Sequence, residues 1–113
     1  MRPDDVLLLD MLLGARDAVA FTGDCSEEEF GRDRMRQMAT VKAIEVVGEA
    51  ASRVSEGFRG EHRELPWQEI VGMRHRLVHD YFGIDLKQVW RTARKDLPRL
   101  VAVLDQWVSS EGQ

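Results

Sequence analysis

Residues 34–55 read RMRQMATVKAIEVVGEAASRVS. Met38, Val41, Ile44, Val47, Ala51 and Val54 recur there at steps of three and four, which lays them along one side of an α-helix running from about Arg34 to Ser55. Gly48, Ala50 and Ala51 are small enough to admit a second helix at close range. Working outward, the upstream stretch from Pro3 to about Phe21 is a second helix. Proline suits its first turn, Asp4 and Asp5 complement its positive end, and Thr22-Gly23-Asp24 stops it. Ser26 with Glu29 forms a capping box for a short helix that Gly31 closes or kinks.

Downstream, Gly57 to Glu64 reads as a polar loop. Pro66 opens a helix expected to run to about Phe82, with Gly83 as its terminator. Asp85 and Gln88 cap a last helix that carries Leu86, Val89, Trp90, Leu97, Leu100, Val101, Leu104 and Trp107. Pro98 should kink or split it. Strand signals are nearly absent. The expectation is an all-α, up-and-down bundle of four to five helices in one domain, residues 1–113.

Composition narrows the function. With 113 residues, 43% of them hydrophobic and 32% charged, the chain resembles an ordinary soluble domain with a single core. No apolar run reaches the roughly 20 residues that span a bilayer. The segment from Val6 to Leu13 is broken by Asp10 and lacks a basic flank, so it is read neither as a membrane span nor as a secretion signal. A single cysteine, Cys25, excludes an internal disulfide framework and fits a reducing, cytoplasmic location. The net charge of -4 argues against a general nucleic-acid binder and confines any such contact to local basic groups. Two exist: Arg32, Arg34 and Arg36, and Arg74, His75, Arg76 and His79.

The second group lies in the stretch Leu65 to Leu86, where Arg74, four residues, His79, one residue and Tyr81 follow one another. Taken alone, Arg74 and His79 read as a surface arginine and a histidine at a helix end. Tyr81, the only tyrosine, reads as an aromatic anchor. On a continuous regular helix Arg74 and His79 would point about 140° apart. His75 and His79 would then share a face, but two ligands make no closed metal site, and Arg76 stands where a His-Glu-x-x-His motif needs Glu. No metal or other cofactor is expected. His62 is read as solvated. Trp67, Trp90 and Trp107, with Met35, Met38 and Met73, are read as core or interface filler.

The spacing Arg-x4-His-x-Tyr resembles the motif of HEPN proteins of the HepT toxin family. Leu65-Pro66-Trp67, Tyr81 to Leu86, Val89-Trp90, Asp96-Leu97-Pro98 and, upstream, Ala43 to Ala51 are similar to that family as well. One departure is His75, where the family commonly has Asn. The resemblance implies a homodimer whose motif segments face each other across a two-fold axis, so that two copies of Arg74 and His79 share a cleft. It implies the toxin of a HEPN/MNT toxin–antitoxin module, a metal-independent endoribonuclease. In that chemistry the RNA 2′-hydroxyl attacks the adjacent phosphate. His79 serves as general base or acid and Arg74 as phosphate clamp. Glu49 and His75 are candidates for supporting roles, with Glu49 able to orient Arg74 or His79. The resemblance also implies an MntA-like nucleotidyltransferase antitoxin that transfers AMP to Tyr81, placing charge and bulk beside the site. Two rival readings stay open: a non-catalytic HEPN module that binds a nucleotidyltransferase or a nucleotide, and a dimeric helical scaffold without an active site.

Overall fold

A computed structural model describes residues 3–79 and 83–111; for His79 and residues 109–111 it describes the backbone alone. Helix α1 spans Pro3–Gly23, α2 Glu27–Arg32 and α3 Arg34–Arg53. Three short helices follow: α4 Glu56–Glu61, α5 Trp67–Val71 and α6 Met73–Leu77. Strands β1 (Val78–His79) and β2 (Gly83–Ile84) pair antiparallel, with Val78 opposite Ile84 and His79 opposite Gly83. Helix α7 (Leu86–Arg91), a π-helical turn (Thr92–Asp96) and α8 (Leu97–Glu111) complete the described residues. No helix among the described residues is long and apolar enough to cross a membrane.

The architecture is the expected all-α, up-and-down bundle. Helix α1 packs against α3 and α8, and α5 and α6 lie across the other side of α3. Ser55, just past α3, donates its backbone N–H and hydroxyl to Asp4 at the start of α1, at 3.0 and 2.7 Å. Arg36, at the other end of α3, reaches the carbonyl of Phe21 near the end of α1 at 2.7 Å. The two helices are therefore antiparallel. Arg94 at Val19 and Asp105 at Arg16 set α8 antiparallel to α1 in turn. Leu8, Met11, Leu12 and Ala15 of α1 meet Ile44, Val47 and Ala51 of α3 and Leu97 and Leu104 of α8 in one core.

Local chemistry explains most boundaries. The Ser26–Glu29 box forms in both directions, and Asp33 caps α3 by accepting from Arg36 N–H at 3.0 Å. Helix α2 continues through Gly31 and ends at Asp33 instead, whose N–H bonds the Phe30 carbonyl. Residues 57–64 are not simply a loop: Ser55 caps α4 by accepting from Phe58 N–H. Within this segment His62 is half-buried, stacked on Phe58 at 3.9 Å and edge-on to Trp107 at 4.8 Å, not solvated. Trp67 is buried in the same cluster, and Trp90 packs on Phe30. Met73 is in the core, whereas Met35 is 85% exposed and takes no part in it.

Pro98 acts one turn upstream of itself. It has no N–H for the carbonyl of Arg94, and the helix widens so that Leu97 N–H reaches back to Thr92. The outcome is a π-helical turn in a continuing helix. From this turn Arg94 donates to Val19 O at 3.1 Å and to Thr22 Oγ1 at 3.3 Å. With Arg36 it satisfies carbonyls at the end of α1, whose own last turn has no basic residue.

Gly14 and Gly31 make a matched test of packing. A Cβ on Gly14 would sit 3.0 Å from both the Ala43 carbonyl and Val47 Cγ2, whereas one on Gly31 meets open space. Gly14→Ala should destabilise by about 1–3 kcal/mol through overpacking. Gly31→Ala should stabilise by up to about 1 kcal/mol by restricting the unfolded chain. Urea unfolding of the two variants reads both signs. The caps predict a pH response as well. Ser26 backbone N–H holds the Glu29 carboxyl below its ordinary range, and Arg36 N–H does the same for Asp33. Carboxyls lowered by folding contribute stability above their unfolded values and lose it as pH falls through the folded ones, so the loss begins below about pH 4. Thermal melts across that window should show it, and Asp33→Asn should flatten part of the slope.

Candidate active site

The motif segment does not form one helix to Phe82. Helix α6 ends at Leu77, and Val78 and His79 are extended. Asp85 N–H bonds the Leu77 carbonyl at 2.8 Å, and the His79–Gly83 pairing turns the chain back toward α7. Gly83, expected as a helix terminator, sits in the returning strand at φ 82°, a conformation that glycine adopts without penalty. β-Branched Val78 favours the extended form, and burial of Leu77 fixes where the helix stops. Arg74 and His79 therefore stand on different elements, and helical pitch does not relate them. The same holds for His75 and His79, which lose their common helical face.

Arg74 and His75 both lie on α6 and are exposed. They line an open groove of about 390 Å³ between α3 and the α5–α6 segment, together with Lys42, Glu45, Glu49 and Ser52. Arg74 Nε donates to Glu45 Oε1 at 3.1 Å, with side chains 47% and 31% exposed. Glu49 stands one helical turn further along the same wall, and the carboxylate bonded to Arg74 is Glu45. The sequence points to Glu49 as the residue to orient Arg74, but the bonded carboxylate is Glu45, on the same face of α3 one turn earlier. The packing of α5 and α6 on α3 selects between them. Gly48 permits that packing: a Cβ there would come within 3.3 Å of the Ile70 carbonyl. The small residue noted in the sequence thus brings the motif segment close to the acidic face.

The side chain of His79 and all of Tyr81 lie outside the described residues. Of the other basic run, Arg36 is a structural tie held by Asp24, Asp33 and the Phe21 carbonyl, and Arg32 pairs with Glu28. Among the described residues, no three His, Cys, Asp or Glu side chains converge as metal ligands.

Fold and groove together define a small helical protein whose paired cation and carboxylate line a cleft beside its central helix. Residues 11–107, which include the whole Arg-x4-His-x-Tyr stretch, match the family described as "Ribonuclease HepT-like". Over 93 residues the chain is 38% identical to "Putative RNase MJ1380" of Methanocaldococcus jannaschii, spanning 82% of this chain and 85% of that one. Over 80 residues it is 39% identical to "Probable ribonuclease HepT" of Thermococcus cleftensis, spanning 71% and 73%. No solved structure matches. The chain belongs to the HepT-like ribonuclease family of HEPN proteins, and so to enzymes that cleave RNA.

Proposed function

We propose that the chain is the toxin of a HEPN/MNT toxin–antitoxin module and cuts RNA internally, without a metal, at Arg74 and His79. The observation that carries this is the half-exposed guanidinium of Arg74 on the wall of an open groove, one short element ahead of His79. Cleavage forms the O2′–P bond and breaks the P–O5′ bond. A base takes the 2′-hydroxyl proton and an acid gives one to O5′, leaving a 2′,3′-cyclic phosphate and a free 5′-hydroxyl. An imidazole can serve either step near neutral pH. Arg74 stabilises charge growing on the phosphate oxygens. In a homodimer, a second copy of the pair across the two-fold axis supplies the remaining proton step.

The regulatory half of the proposal concerns Tyr81. An MntA-like nucleotidyltransferase partner joins the phenol oxygen to the α-phosphorus of ATP, and pyrophosphate leaves. The attached AMP puts a negative charge two residues from His79, where an RNA phosphate would otherwise bind.

Purified protein should cleave RNA in the presence of chelator. Arg74→Ala should slow cleavage by about 10²–10³-fold and His79→Ala by about 10²–10⁴-fold. For Arg74→Ala the unfolding free energy should stay within about 0.5 kcal/mol of the parent. Full activity in both variants would falsify the site. Co-expression with the nucleotidyltransferase should add the mass of AMP, and Tyr81→Phe should abolish the addition. Tight binding to that partner with no cleavage under any condition would instead identify a non-catalytic module.

A further inference from the structure

Arg74 sits on a platform of five residues, α6, bounded by Gly72 on one side and a two-residue strand on the other. A long side chain on so short an element loses about 2 kcal/mol of rotamer entropy if it must be held in one pose. Glu45 stands on a firmer base. It belongs to the 20-residue α3, and its neighbours Ile44 and Val47 are 1% and 0% exposed in the core. The contact between the two is directional. Glu45 takes Nε, and among the described residues the terminal amino groups of Arg74 make no hydrogen bond. A guanidinium bonded at Nε still presents its two terminal N–H groups as a planar fork, the edge that grips two oxygens of one phosphate. Groove charge alone does not select such a pose, since Lys42 and Arg74 are offset by Glu45 and Glu49.

We propose that Glu45 is a positioning residue, which anchors Arg74 through Nε so that its terminal fork meets the phosphate being cleaved. This rests on the reading of Arg74 as the phosphate clamp. The carboxylate touches no substrate atom. It lends the rigidity of the central helix to a side chain whose own helix is too short to supply it.

The test compares Glu45→Ala, Glu45→Gln and Arg74→Ala in the full chain, with steady-state RNA cleavage, thermal melts and the NMR signal of the Arg74 Nε–Hε pair. Glu45→Ala should lower kcat by about tenfold or more, as misplaced groups do. KM should hold or fall, because a carboxylate has left the neighbourhood of the phosphate. Glu45→Gln keeps an oxygen acceptor and should recover most of kcat. The Nε–Hε signal should be ordered in the parent and in Glu45→Gln and averaged in Glu45→Ala, with melting temperatures alike. A kcat in Glu45→Ala equal to or above the parent would make Glu45 a brake and overturn the proposal. Failure of Glu45→Gln to recover kcat would overturn it too. Full activity in Arg74→Ala would instead remove the clamp on which both statements stand, so the two failures are told apart.

Discussion

Close approach to the backbone of α3 is the constraint on which the molecule is built. Gly14 lets α1 press onto the carbonyl of Ala43, and Gly48 lets the carbonyls of Ile70 and Val71 press back from the opposite side. A helix gripped on both faces at near-backbone distance has little freedom to slide, because a packed core yields only in steps. Glu45 and Glu49 inherit that rigidity. They lie on the one strip of α3 that neither α1 nor the core covers, so the polar wall of the groove is set by what remains once the apolar sides are spent.

The far end of the bundle is held differently. The closing turn of α1 carries no basic residue, and its carbonyls are met by arginines from elsewhere: Arg36 from α3 and Arg94 from the π-helical turn. A 2.6 Å hydrogen bond to Asp24 holds Arg36 in place and raises its guanidinium above the ordinary arginine value. Proline at 98 thus does more than interrupt a helix. Widening the preceding turn redirects Arg94 toward α1, and the missing N–H becomes a fastening between the last helix and the first.

The long helices were legible because burial writes its period into them: the stripe from Met38 to Val54 and the run from Leu97 to Trp107 are each amphipathic over several turns. Capping chemistry at Ser26 and Asp85 placed starts well, since a side-chain oxygen needs only its local N–H; the Asp33 cap of α3 emerged only from the structure. What escaped were features decided by tertiary contact. Residues 56–61 look polar, yet they form a helix because Phe58 and His62 find Trp67 and Trp107 across the fold. The end of α6 at Leu77 was hidden because Arg74 to Val78 carries no Gly or Pro to mark a break. Arg74 was recognisable by its spacing to His79 and Tyr81, but its carboxylate partner was not, because Glu45 and Glu49 differ by one turn and only the seat of α6 tells them apart.

The junction of α6 and β1 also changes what the four residues between Arg74 and His79 measure. Within a helix, adding one residue rotates everything beyond it by about 100°. Beyond Leu77 the chain counts in steps of two, and one added residue inverts which side of the ladder each side chain occupies. The interval is therefore a ruler graduated in two scales, helical up to Leu77 and extended from Val78. Its zero is pinned where Asp85 closes onto the Leu77 carbonyl. A conservative exchange within this segment therefore leaves the gauge intact, whereas a single-residue insertion or deletion resets it.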